Sequence, residues 1–223
     1  MRGFFITGTD TEVGKSVVTA SLAAAYRASG HQPRAVKPLA SGSLPPGEDA
    51  SLIAEHGGHN PINFACFPVP ASPERAAKVA GITIDEDGLI QWCRAQTGHP
   101  TLMEGVGGWV APLTPGMTVE DLAIAMGLPV IIVAANKLGM LNHTLLTVEA
   151  VRESGLPLAG VVINNGASAP SELQQWNTED LRRWLGPSVR TTVLDAVDER
   201  AYATAGARII ADLVLPSPRS DRP

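Results

Sequence analysis

Aromatic residues are scarce, at 4% of 223 positions. With 44% of the chain hydrophobic, Ala, Val, Leu and Ile must fill the interior. Cysteine is rarer still. Cys66 and Cys93 stand far apart without Cys-x-x-Cys spacing, which excludes a disulfide framework and a thiolate metal site and predicts a reduced, cytoplasmic protein. Runs of Lys or Arg are missing and the formal net charge is −5. An extended nucleic-acid surface is therefore not expected, although a single polyanionic nucleotide needs only local positive charge. His56 and His59 share a Gly-rich stretch with no partner motif and read as polar loop residues, not as metal ligands. The longest apolar region, 122–135, is interrupted by Gly127-Leu128-Pro129 and is too short to span a bilayer. Only three strongly apolar residues follow Met1-Arg2-Gly3, so no signal peptide is expected. Neither a repeat nor an interdomain linker breaks the pattern. One domain over 1–223 is predicted, with 216–223 as a disordered tail.

What is present is an alternation of short apolar runs and amphipathic stretches. Strands are expected at 4–7, 34–37, 101–103, 130–134 and 158–163, the second halted by Pro38. Helices are expected at 17–29, 50–56, 74–80, 85–95, 119–126 and 141–154, with Gly30 as the stop of the first. The segments 40–47 and 60–73 read as irregular. After Gln175 the pattern weakens to helices over 179–185 and 200–213 and a strand near 189–194. Continuous apolar strands alternating with helices predict an α/β fold, a mostly parallel sheet flanked by helices on both faces. Ligands of such a sheet gather at the carboxyl ends of its strands. The polar residues there, Thr7 to Thr11, Lys37, Ser41, Glu104, Asn136-Lys137 and Asn164-Asn165, are expected to face one crevice.

The first of these strand ends carries the strongest motif. Thr7-Gly8-Thr9-Asp10-Thr11-Glu12-Val13-Gly14-Lys15-Ser16 follows Phe4-Phe5-Ile6 and precedes a helical pattern. Strand, glycine-bounded loop, Gly-Lys-Ser and helix are the parts of a phosphate cradle, here with one residue more than usual between Gly8 and Gly14. Backbone N–H groups at the helix start would face the anion, Lys15 would add a mobile charge, and the Ser16 hydroxyl suits a Mg²⁺ ion. Glu104 ends a buried strand and enters Gly105-Val106-Gly107-Gly108-Trp109. It is either a metal carboxylate of a P-loop enzyme or a strand-end carboxylate in solvent. Asp49 is either a helix cap or a third oxygen donor beside Ser16 and Glu104. Lys37 either snorkels to solvent or converges with Lys15, and two converging ammonium groups imply an anion between them.

Taken with Lys37-Pro38-Leu39-Ala40-Ser41-Gly42, Pro70-Ala71-Ser72-Pro73, Glu104 to Trp109, Lys137-Leu138-Gly139-Met140-Leu141-Asn142-His143 and Ala159 to Asn164, the phosphate-loop motif makes the chain resemble the dethiobiotin synthetases over about residues 3 to 165. The resemblance implies an ATP-dependent cyclo-ligase of biotin synthesis. Its substrates would be 7,8-diaminopelargonic acid, CO₂ (or bicarbonate) and ATP, with Mg²⁺ as cofactor and a homodimer as the working unit. A carbamate on one amine would attack the γ-phosphate, and the second amine would then close the ureido ring and expel phosphate. By the same resemblance Lys37 is the essential lysine, with Lys15 and Thr11 beside it. Ser16, Asp49 and Glu104 hold the metal. Glu12, Val13, Gly14, Lys15, Ser16, Val17, Asp49, Glu104, Gly105, Val106, Gly107, Asn164 and Asn165 bind the nucleotide. Ser41 positions the diamine, and Gly139, Met140, Leu141 and Asn142 of a neighbouring subunit receive its carboxylate.

The chain departs from that family pattern in places. Ser16 stands where Thr is more frequent, Glu74 where His is common, and Asn165 where Asp is common. Thr191-Thr192-Val193-Leu194-Asp195-Ala196-Val197 replaces a Gly-x-Ile-Pro segment that contacts the base, which opens the choice of nucleobase. A ParA/MinD-type switch ATPase shares the fold and loop type. It generally carries an additional lysine early in the loop, and residues 8 to 13 contain none. Relatives of cobyrinate diamide synthase usually add a glutaminase domain, for which 223 residues leave no room.

Overall fold

Strand β1 (Gly3–Gly8) is buried along its whole length because it runs between two parallel neighbours, β5 (Thr101–Glu104) and β6 (Val130–Ala135). The computed structural model describes residues 3–96, 98–167, 171–198 and 200–213, so the tail expected at 216–223 lies outside them. β2 (Arg34–Val36) extends the sheet beyond β5, and β7 (Leu158–Gly166) and β8 (Thr191–Asp195) extend it beyond β6. The order is β2-β5-β1-β6-β7-β8 with every pair parallel.

Side-chain alternation divides the interior into two layers. Phe5, Val130, Ile132, Val161 and Ile163 face one way. They meet α3 (Pro73–Val79), α4 (Glu86–Ala95), α5 (Val119–Met126), α6 (Met140–Glu153) and α7 (Glu172–Leu185). Phe4, Ile6, Ile131, Val133 and Val162 face the other way. They meet α1 (Lys15–Ala28), α2 (Glu48–Gly57) and α8 (Tyr202–Leu213). α1 and α8 approach closely at Gly206, where an added Cβ would lie 1.9 Å from the Ser21 carbonyl oxygen. The predicted α/β architecture is the observed one.

Three local expectations differ. The segments read as irregular hold β3 (Leu39–Ser41) and β4 (Ala65–Phe67), which pair in parallel as a separate two-stranded sheet. Each is only three residues long and flanked by proline, so neither has room to show a period. Helix α7 begins seven residues earlier than its apolar pattern suggests. Its start is set by a capping box, in which Ser171 and Gln174 satisfy each other's backbone N–H groups. Helix α1 begins at Lys15, two residues ahead of the expected Val17. Among the described residues no helix is long and apolar enough to cross a membrane. Both cysteines are free thiols, and burial pushes Cys93 up to about 12.

Candidate active site

The loop between β1 and α1 ends on Gly14, whose φ is 94°. A Cβ there would also lie 2.1 Å from the Asn164 amide nitrogen, so only glycine fits. The first intrahelical bond runs from Val18 N–H to the Gly14 carbonyl, which leaves the N–H groups of Lys15, Ser16 and Val17 without intrahelical acceptors. α1 has no acidic residue in its first turn, so the positive end of its dipole is available to an external anion. Lys15 folds back over the loop and donates from Nζ to the Asp10 carbonyl at 2.9 Å. The Thr11 N–H donates to Asp10 Oδ1 at 2.7 Å, and Thr11 and Glu12 are exposed beside it.

Sheet register assembles the remaining charges. Ile6 pairs with Glu104 and Val36 with Met103, so the end of β5 lies between the phosphate loop and Lys37. Glu104 is fully buried and Lys37 is 5% exposed. Lys37 Nζ lies 3.0 Å from Glu104 Oε1 and also donates to Asp49 in the first turn of α2. Ser16 Oγ donates to the same Glu104 oxygen at 2.8 Å. Asp49 keeps about half its side chain open to solvent. Lysines and carboxylates thus share one site in equal number.

Burial pushes the Lys15 ammonium down to about 8, with Lys37 adding repulsion and Glu104 and Asp49 opposing it. Burial works against the Lys37 charge as well, but Glu104 and Asp49 outweigh it and raise its pKa above the ordinary lysine value. For Asp49, burial alone would favour the neutral acid; the Lys37 ammonium outweighs it and holds the carboxyl below its usual range.

This donor set fits a hard divalent cation. Ser16, Asp49 and Glu104 offer only oxygen, and Glu104 Oε2 is buried without a hydrogen-bond partner. Among the described residues no group of three His, Cys, Asp or Glu converges. A cation here would complete its shell with phosphate oxygens and water.

At the end of β7, Asn164 donates from Nδ2 to the Val13 carbonyl at 2.9 Å and accepts the Gly166 N–H. Its amide therefore anchors the phosphate loop and keeps one N–H for a ligand. Gly105, Val106 and Gly107 continue from Glu104, with the Gly105 N–H bonded to the Ile6 carbonyl. Ser41 is committed to the Ala71 carbonyl at 2.7 Å. Gly139 and Asn142 are exposed at the start of α6 and Leu141 is half-buried, while the Met140 side chain lies in the core. Met140 can meet a ligand only through its backbone.

A sequence profile described as an AAA domain matches residues 2–202. A Bacillus subtilis protein named ATP-dependent dethiobiotin synthetase BioD is 39% identical over 194 residues, covering 83% of this chain and 84% of the relative. A protein of the same name from Acidiphilium cryptum is 36% identical over 223 residues, covering 93% and 100%. The chain belongs to the dethiobiotin synthetase family. Its fold is also found in a ParA family ATPase from Chlorobium tepidum, with a TM-score of 0.51, 14% identity, and coverage of 92% and 89%. A plasmid partition protein from Borrelia burgdorferi gives a TM-score of 0.51 at the same identity, with coverage of 94% and 96%. At that identity the likeness extends to the fold alone.

In this dethiobiotin synthetase chain one expected crevice residue turns elsewhere. Asn136, at the end of β6, is buried against α7. Its amide donates to Asn165 Oδ1, the Gln174 carbonyl and Thr178, and its oxygen accepts from Asn177. Asn165 continues the network to Asp195 at 2.8 Å. Strand-end position did not distinguish a ligand-facing amide from one that ties a helix to the sheet. Asp10 was also missed as the residue that shapes the loop, although its place between two threonines in a turn-rich segment was a usable signal. A cavity of about 890 Å³ opens between Glu74–Asp87 and Leu113–Gly116 and is lined by no residue of the phosphate loop.

Proposed function

We propose that this protein is an ATP-dependent dethiobiotin synthetase acting on 7,8-diaminopelargonic acid, CO₂ and ATP. The observation that supports the reading best is the meeting of Lys15, Lys37, Ser16, Asp49 and Glu104 at the helix start of a phosphate loop. Such a grouping suits acyl-phosphate formation, because negative charge gathers on the transferring phosphoryl group and the attacking carbamate together.

The open N–H groups of Lys15 to Val17 bind the nucleotide phosphates. Ser16, Asp49 and Glu104 would hold a Mg²⁺ ion, which would supply charge neutralisation to the phosphates. Lys37 and Lys15 face the anions from two sides, and Thr11 is exposed where a carbamate oxygen would approach. The carbamate oxygen attacks the γ-phosphorus and ADP leaves. The second amine then attacks the carbamoyl carbon, loses its proton and expels phosphate. Fixing the two amines and the phosphoryl group in one geometry removes much of the entropic barrier. Ser41 positions the diamine after exchanging its bond to Ala71. Asn164, with its free N–H, and Asn165 border the base.

A homodimer completes the site in this reading. The N-terminal turn of α6 is a ready carboxylate receptor, and Leu138 and Leu146 beside it are 82% and 63% exposed. A cytoplasmic location agrees with two free cysteines. The direct test supplies diaminopelargonate, bicarbonate, Mg²⁺ and ATP and measures dethiobiotin by mass spectrometry, with light scattering for the dimer. ATP turnover stimulated by DNA or lipid without dethiobiotin would overturn the reading in favour of a switch ATPase.

A further inference from the structure

The two carboxylates suited to a metal are already engaged by a cation of the chain itself. The Lys37 ammonium bridges Asp49 and Glu104, and the Glu104 oxygen it meets at 3.0 Å is the one Ser16 also holds. The other Glu104 oxygen has no partner. We propose that Lys37 is a resident placeholder for the divalent cation, and that metal entry proceeds by exchange, expelling the ammonium from Asp49 and Glu104 toward the bound anions. The inference rests on the ligase reading for the place to which Lys37 moves, but the exchange itself is a property of these four side chains.

A divalent ion and an ammonium sharing Asp49 and Glu104 repel strongly at close range even when the ion enters through the open Glu104 oxygen, and this repulsion drives the exchange. The ammonium is the one able to leave. It rides on a flexible four-carbon stem, whereas Glu104 is fixed at a strand end and Asp49 in the first turn of a helix. Its exit is restricted, because Lys15 stands close enough to repel it. Only an anion between the two lysines makes the vacated position favourable. Metal and phosphate therefore enter together, and the lysine is directed at the phosphoryl group only after the cation has arrived. Metal without nucleotide binds poorly.

The test uses Mn²⁺ as the probe, with free ion followed by electron paramagnetic resonance in the nucleotide-free protein. Lys37→Met removes the competing charge and keeps an unbranched side chain. Its Mn²⁺ affinity should exceed that of the unaltered protein by on the order of tenfold or more. Equal or weaker affinity in a variant with unchanged circular dichroism overturns the proposal. A second measurement covers the case in which the variant does not fold. Amine labelling of the unaltered protein in ADP, read by mass spectrometry, should modify Lys37 more with Mg²⁺ than with a chelator, and unchanged or reduced labelling also overturns the exchange. Dethiobiotin formation by the unaltered protein is measured separately. Its failure would remove the ligase reading and leave the metal–lysine exchange standing.

Discussion

Lys15 and Lys37 have similar burial and opposite electrostatic fates. Lys37 gained two carboxylates and stays charged, whereas Lys15 gained a backbone carbonyl and is pushed down to about 8. Between about 8 and 10.5 the unfolded chain retains the Lys15 proton that the folded chain has released. Stability of the nucleotide-free protein should therefore rise with pH through that window, because the unfolded state binds more protons. Lys37 acts in the opposite sense at higher pH, since its contribution is complete below the ordinary lysine value and is lost as pH climbs through its raised pKa. Lys15→Met should stabilise the nucleotide-free protein at pH 7 by on the order of 2–3 kcal/mol, with the gain vanishing above about pH 10. Urea denaturation at several pH values reads this directly. A stability difference independent of pH would show that the charge is not its cause. Function should move the other way, because an uncharged Lys15 no longer attracts phosphate. Metal-free nucleotide affinity should weaken as pH rises through about 8. Lys37→Ala should lower kcat by about 10²–10³-fold, the cost of one charge-stabilising group in a dry site. Near-normal kcat would remove Lys37 from the mechanism.

At the scale of elements, what matters is which strands end together and which helices touch. Glu104 and Lys37 become neighbours because β5 lies between β1 and β2, an order that no local window contains. The sequence pattern marks both residues as strand ends facing one crevice, and the likeness to dethiobiotin synthetases adds their roles, but neither gives their direct contact. The β3–β4 pair, the early start of α7 and the inward turn of Asn136 stayed hidden for a common reason. Each depends on partners distant in sequence or on a cap, and none leaves an apolar period. Helix packing makes its own prediction at Gly206. A methyl group there would meet the Ser21 carbonyl, and α1 carries the phosphate-binding turn at its other end. Gly206→Ala should cost about 1–3 kcal/mol through overpacking, read as a lower urea midpoint. If midpoint and m-value are both unchanged, the α1–α8 contact is looser than described.

At the scale of the molecule, the site draws its charges from the first half of the chain, on α1, just past the end of β2, on α2 and at the end of β5. The second half reaches the phosphate loop at two points, through the Val133 carbonyl, which accepts from the Thr9 N–H, and through Asn164, which ties β7 to Val13. A nucleotide bound at the loop therefore stabilises both halves together. Saturation with ADP and Mg²⁺ at a hundred times the Kd should raise global stability by about 2.7 kcal/mol, because the unfolded chain does not bind. Asn164→Ala removes the bond to Val13, together with the one Asn164 accepts from the Gly166 N–H, while leaving every charged group in place. Its effect should fall on nucleotide affinity, with KM for ATP raised about 5–10-fold for the loss of roughly 1 kcal/mol of loop anchoring. kcat at saturation should change little, because the lysines and carboxylates are untouched. Steady-state kinetics beside a thermal-shift titration separates the terms. An unchanged KM with depressed kcat would mean that Asn164 acts on the reacting groups and not on the loop.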